Sequence, residues 1–408
     1  MPCVTVVRTL FVVLSTRHRM GEKLVDSRLQ PSHLRNRRWL KHALQTYRAE
    51  KRPFSLRMPD RVEDLSSHQS VALWCFYNNG LSTVQIDIFS VERHTDMLLC
   101  PINKYDVVYD WVGIDAFLDR PVDEYLQWLA KIRAAARTGV LTKPSAQNAE
   151  FIASKRYLNS FDTNCLFLPT IFVAKSDSGS GPLLAGAIRR EVAAHAWHKF
   201  VCKIPFRSSG VGFRTFDANA CAQDLNQYVA SQAVSLAQST SYLIVQRYSE
   251  AFRNAPEVRM YFGGLQFLYL VAVTEIGQHY SEAKLLQSNI YSERTLDKMK
   301  FTASNALQEI YAIMTRDDSA ASLAPIFRVD CIVETSTMQN HRDDDDDAGT
   351  AIVLVNEIED MGNIGLYPIC CASVRDCEPD YIALIGKVVL NDVSDQTQTV
   401  CAAGSSIF

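Results

Sequence analysis

The sequence predicts a mixed α+β protein in which a mainly helical central region is flanked by antiparallel β segments before and after it. Three observations predict it. Runs rich in β-branched and aromatic residues cluster before about residue 175 and again after Pro325, apolar residues recur at threes and fours between Asp217 and Arg316, and only 17 glycines and 14 prolines punctuate 408 residues. With 47% hydrophobic residues the chain can bury one large core or two to three smaller ones. Pattern and charge divide it into a basic N-terminal segment over 1–64, a mixed α/β region over 65–215, a helical region over 216–325 and a β-rich region with an acidic loop over 326–408.

Val4, Val6, Val7, Phe11, Val12 and Val13 are dense enough for a first strand. Leu34, Trp39, Leu40, Ala43, Leu44 and Tyr47 then follow helical spacing, with Arg35, Arg37, Arg38, Lys41 and Arg48 between them, which predicts a basic amphipathic helix closed by Pro53. The β-rich runs on either side of Asn78-Asn79-Gly80 predict a hairpin between Val71 and Cys100. Pro121, with Asp123 and Glu124 in the first turn, opens a helix that runs to Arg137 and buries Tyr125, Leu126, Leu129 and Ile132.

A strand over Cys165 to Ala174 leads into a Ser/Gly loop that ends at Pro182, and a helix is expected over Leu184 to Phe200. Asp217 is a plausible N-cap for the helical region, which Pro256 and Gly263-Gly264 split; its last helix carries a core stripe of Leu296, Met299, Ala303, Leu307, Ile310 and Met314. Beyond Pro325, four short β-rich runs, the last over Asp380 to Asp392, predict an antiparallel sheet of about four strands.

Net charge is −3, yet residues 1 to 60 carry thirteen Lys/Arg and four Asp/Glu. That polarity marks Arg35, Arg37, Arg38, Lys41 and Arg48 as a contact for an anionic partner, and Asp343, Asp344, Asp345, Asp346 and Asp347 as an acidic partner-facing loop. The N-terminal segment is expected to dock on a partner rather than complete the main core; the alternative is that its first strand, dense in Val4, Val6, Phe11 and Val13, belongs to the central sheet. No apolar run reaches the ~18 residues a membrane span needs. Eleven cysteines spread over a long chain read as reduced, buried thiols rather than a disulfide framework. The expected compartment is therefore cytoplasmic or a virion, with a mitochondrial leader left open because Glu22 is the first acidic residue.

Chemical motifs are sparse. Glu191, His195 and His198 fall on one expected helix face, but their outer pair is too far apart for one ion, and the cysteines around Cys370-Cys371 lack metal-ligand spacing. Ser178-Gly179-Ser180-Gly181 lacks the Lys-Ser/Thr that ends a phosphate loop. No nucleophile elbow or kinase set is present. No catalytic residue, metal or cofactor is expected on these grounds. The sequence thus predicts a non-enzymatic structural protein, a subunit of a large shell such as a viral capsid of the shell or clamp type. It would act as an oligomer through protein interfaces, with nucleic acid contacted through the N-terminal segment. The alternatives are an RNA-binding nucleoprotein, or an enzyme with an unrecognised site that uses His195 and His198.

Overall fold

The computed structural model describes residues 6–14, 19–20, 23–24, 38–50, 52, 54, 57–117, 120–159, 166–174, 181–207, 212–219, 222–238, 242–274, 279–317, 322–335, 351–361 and 381–405. Its first strand, Val7–Leu14 (β1), is buried on both faces, as an interior strand of a parallel sheet must be. A short hairpin of Arg19–Met20 (β2) and Lys23–Leu24 (β3) follows. The helices Arg38–Ala49 (α1) and Ser67–Asn78 (α2) carry the chain over to Val84–Val91 (β4), which pairs with β1 in parallel. His94–Leu99 (α3) leads to Val107–Trp111 (β5) on the other side of β1, and Val122–Arg137 (α4) to Leu141–Lys143 (β6). The sheet order is β4-β1-β5-β6, all parallel.

This corrects two expectations. The N-terminal sheet is parallel rather than antiparallel, because its strands are joined by helical crossovers and not by tight turns. The hairpin at Asn78-Asn79-Gly80 is instead the end of α2, whose start is fixed by a capping box in which Ser66 Oγ accepts from Gln69 N and Gln69 Oε1 accepts from Ser66 N. For residues 7–14 the alternative of a strand in the central sheet holds, since β1 pairs with both β4 and β5. One face of the sheet packs on α1 and α2 through Phe11, Val13, Leu40, Leu44 and Leu73; the other packs on α4 through Val12, Val108, Leu129 and Ile132.

After Ala146–Ala153 (α5) comes a second sheet of Thr170–Ala174 (β7), Lys199–Lys203 (β8), Arg214–Asp217 (β9) and Tyr242–Arg247 (β10), in the order β7-β10-β8-β9 and antiparallel. Gly181–Ala194 (α6) and Ala222–Gln238 (α7) accompany it, and Leu184, Ile188, Leu225 and Tyr228 pack on its apolar face. The helix expected over 184–200 ends at Ala194, and its last residues belong to β8.

The third sheet runs β13-β12-β11-β14-β15, all antiparallel. Ala251–Asn254 (α8) leads to Glu257–Gly263 (β11) and Gln266–Val273 (β12), which are joined at Gly263-Gly264, where Gly264 takes the left-handed φ of +58° that a side chain would disfavour. His279–Ser281 (β13), Glu282–Gln287 (α9) and Glu293–Asp317 (α10) precede Ile326–Thr335 (β14) and Ala351–Asp360 (β15). The region from 217 to 316 is thus not uniformly helical: β10 to β13 interrupt it, because the short runs around Pro256 are dense in β-branched and aromatic residues and pair with one another. The stripe on α10 is core as expected, since all six of its residues are buried.

The run over 380–392 is a helix, Tyr381–Ser405 (α11), and not a strand. Ile382, Ile385, Val389 and Val393 are buried at intervals of three and four against α2 and the parallel sheet. Gly386 lets Trp74 lie directly on the helix backbone, where an added Cβ would stand 2.3 Å from Trp74 Cε3. Packing has overridden β propensity here. Lys143 Nζ donates to Asp392 Oδ1 at 2.5 Å and Tyr109 Oη to Asp392 Oδ2 at 2.6 Å, which ties α11 to β5 and β6.

Candidate active site

On β14, Phe327, Val329, Cys331 and Val333 face the stripe of α10, so the alternating residues Arg328 and Asp330 point to the opposite side of the sheet. Register then assembles an array. Arg259, Asp330 and Glu357 form one row across β11, β14 and β15, and Tyr261, Arg328 and Glu359 form the next. Arg328 holds Asp330 with two hydrogen bonds, Nε to Oδ1 at 2.7 Å and Nη2 to Oδ2 at 2.8 Å. Arg259 Nε donates to Glu257 Oε2 at 3.1 Å, and Asn356 Nδ2 donates to Glu257 Oε1 at 2.8 Å.

Two lysines meet this face from elsewhere. Lys155, just past α5, is buried with its backbone at φ +57°; its Nζ donates to Glu359 Oε1 at 3.1 Å and pairs with Glu357. Lys203, the last residue of β8, comes from the second sheet. It is partly open at the rim, and its ammonium lies close enough to Lys155, Glu257, Glu359 and Asp330 to interact with all of them. Burial, together with the Lys155 charge, pushes the Lys203 ammonium down to about 8. Burial pushes the Asp330 carboxyl up, against the pull of Arg328.

Removing ions from water costs several kcal/mol each, and apolar residues of the same volume often stabilise a fold as well or better. Four cations and four carboxylates gathered on one face, with Lys155, Arg328, Asp330 and Glu359 buried and the others half-buried, are therefore weak structural glue and a strong functional signal. The arrangement offers lysine ammoniums for anionic oxygens, and beside them carboxylate and amide oxygens of the kind a hard divalent cation takes. Asn356 Oδ1 is buried without a hydrogen-bond partner, as an oxygen reserved for a ligand would be. Among the described residues no three His, Cys, Asp or Glu side chains converge as a self-sufficient metal site. That suits Mg²⁺, which is usually held by one or two carboxylates together with the oxygens of a phosphate substrate.

None of the residues singled out from the sequence belongs to this array. Arg35 and Arg37, and Asp343 to Asp347, lie outside the described residues, as does the loop over 175–180. Arg38 and Lys41 are exposed on α1, and Arg48 pairs with Asp60. His195 and His198 follow the end of α6 and are exposed, with His195 Nδ1 at 2.9 Å from Glu191 O. Cys75, Cys100, Cys202 and Cys331 are free and buried. The signal that reveals the site was present in the sequence as three charged pairs at alternate positions in otherwise apolar runs: Glu257 with Arg259, Arg328 with Asp330, and Glu357 with Glu359.

No protein-family model matches the chain, and no curated protein matches it in sequence. Solved structures match it in shape. D-cycloserine synthetase DcsG superposes with a TM-score of 0.52 at 14% identity, over 94% of this chain and 99% of that one. The D-alanine–D-alanine ligase of Bacillus anthracis complexed with ATP superposes at 0.49 and 8% identity, over 96% and 99%. The biotin carboxylase of Campylobacter jejuni reaches 0.49 at 10% identity, over 94% and 70%. The first of these carries the assignment of fold. It overturns the expectations of a capsid or virion shell subunit and of a chain that is not an enzyme: almost the whole chain follows the fold of a synthetase, and the charged array lies between two of its sheets. With a parallel N-terminal sheet followed by two antiparallel sheets, the chain has a mixed α/β architecture consistent with the ATP-grasp fold.

Proposed function

We propose that the protein is an ATP-dependent ligase or synthetase whose nucleotide phosphates lie between the second and third sheets. The observation that carries this reading is the approach of Lys203 and Lys155, from two different parts of the chain, to the carboxylates of Asp330, Glu357 and Glu359. Lys203 and Lys155 would bind phosphate oxygens, and Lys155 would exchange its present carboxylate partners for them. Asp330 and Glu357, with the free oxygen of Asn356, would hold a divalent cation. A cation held there would offset charge on the transferred phosphoryl group. Arg259 and Arg328 keep the carboxylates oriented, and burial of Lys155, Arg328, Asp330 and Glu359 strengthens the charge interactions among them.

ATP use and the four free, buried thiols support a reducing compartment such as the cytoplasm. Among the described residues no helix is long and apolar enough to cross a membrane.

The test is calorimetric titration of the purified protein with ATP in the presence of Mg²⁺. The wild type should bind, and Lys203→Met, which keeps the length of the stem, should lose most of the affinity while melting normally. A wild-type protein that binds no ATP under these conditions overturns the reading.

A further inference from the structure

The strand that supplies Glu357 and Glu359 is an edge strand, and its outer side is sealed in an unusual way. β15 lies last in its sheet, so the backbone groups facing away from β14 have no strand to pair with. Its register also slips. Cys331 pairs with Val355 while Asp330 pairs with Glu357, which leaves Asn356 as the extra residue of a bulge. As a result the outward-facing residues that flank the bulge are Val355 and Ile358, three apart rather than two. Both are captured. Val355 N donates to Leu166 O at 2.6 Å and Val355 O accepts from Leu168 N at 2.9 Å, on one side of the bulge. On the other side a single side chain does the work of a strand: the hydroxyl of Tyr157 accepts from Ile358 N at 2.8 Å and donates to Ile358 O at 3.0 Å.

Tyr157 is fully buried and stands two residues after Lys155. One short segment therefore reaches both the carboxylates of Glu357 and Glu359, through Lys155, and the peptide groups between them, through Tyr157. A bulge bends and twists its strand, so the direction of Asn356 and Glu357 depends on what fixes its two ends. The same device occurs once more among the described residues. Tyr47 Oη donates to Ile88 O at 3.1 Å and accepts from Ile88 N at 2.8 Å, on the edge strand β4 of the parallel sheet. There the strand is regular and supplies nothing to the charged array, which makes Tyr47 a natural control.

We infer that Tyr157 is a positioning residue for the divalent-cation site: its hydroxyl pins the far end of the bulge and so aims the oxygens of Asn356 and Glu357. This rests on the ligase reading. Outer partners that orient metal ligands commonly change metal affinity by about 10 to 100-fold when removed. Tyr157→Phe should accordingly raise the Mg²⁺ concentration at half-saturation of ATP binding about tenfold, while binding of ATP in EDTA changes little. Tyr47→Phe removes the same pair of hydrogen bonds and should lower the melting temperature with no change in Mg²⁺ dependence.

The experiment is calorimetric ATP titration at a series of Mg²⁺ concentrations on wild type, Tyr157→Phe and Tyr47→Phe, with melting curves of each. If the wild type binds no ATP, the ligase reading fails and the inference with it. If the wild type binds and Tyr157→Phe has the wild-type Mg²⁺ dependence, or both variants shift it equally, the inference alone fails. Should Tyr157→Phe not fold, 3,5-difluorotyrosine at position 157 keeps the ring and the donor while weakening the acceptor. It should move the Mg²⁺ half-point in the same direction by a smaller factor, and an unmoved half-point overturns the inference.

Discussion

Lys203 makes the proposed site testable through pH alone. Its ammonium is pushed down to about 8 by burial between the two sheets and by the Lys155 charge, from the ordinary lysine value of 10.5. A triphosphate needs the charged form, so apparent affinity should follow the protonated fraction of Lys203 in the free protein. That fraction is about one half at pH 8 and about 3% at pH 9.5, which weakens ATP binding by about fifteenfold over the interval. The bound phosphate raises the lysine again, so binding near pH 8 should take up about half a proton. Calorimetry in two buffers of different ionisation enthalpy measures both quantities. Lys203→Met should bind weakly and show neither effect. The reasoning is refuted if wild-type affinity changes less than about twofold between pH 8 and 9.5, or if Lys203→Met keeps the same slope, because another group would then be responsible.

Three further outcomes follow from the packing. His68 is buried and pushed down to about 4 by burial, against its bond to Met361 O, so the unfolded chain binds a proton that the folded one refuses between pH 6.5 and about 4. Stability should fall by about 3 kcal/mol as pH drops through that window, and His68→Gln should flatten the loss in urea titrations at several pH values. Gly386→Ala gains about 1 kcal/mol of helix propensity but forces a methyl into Trp74, at a cost of about 1–3 kcal/mol. The melting temperature should therefore fall, and a rise would mean that Trp74 does not lie on α11. Asp392→Asn leaves the buried Lys143 ammonium without its partner and should destabilise by about 3 kcal/mol in denaturant titrations, whereas a loss below about 0.5 kcal/mol would show that the pair is solvated.

Much of the fold was legible wherever one periodicity dominates. The stripe on α10, the helix from Val122 to Arg137 and the strand at Val7–Leu14 all follow from spacing in the sequence. The failures share a cause. α2 is buried on nearly every side, so it has no polar face to reveal a 3.6-residue period, and only the Ser66-to-Gln69 cap marks it as a helix. α11 carries β-branched residues at the buried positions Val389 and Val393, and its helical repeat emerges only over four turns. The site was missed for a different reason. Its residues lie far apart in the chain, from Lys155 to Glu359, and no local motif joins them. What joins them is strand register, which sets Arg259, Asp330 and Glu357 side by side and cannot be read before the strands are paired.

The placement of α11 also bears on how the chain is made. The parallel sheet is complete in sequence by Lys143, but part of its apolar face is covered only by Ile382, Ile385, Val389 and Val393, and Lys143 finds its counter-ion only in Asp392. During synthesis at about 5–20 residues per second, some 250 residues separate Lys143 from Asp392, a wait of roughly 12–50 s in which that face has no permanent cover. Local helices can form in that time, but the part of the sheet that α11 covers stays open until Asp392 and its neighbours have been made. A nascent chain of this architecture therefore keeps an apolar face exposed to aggregation during that interval, and a chaperone that shields the α2 face until α11 arrives would protect it.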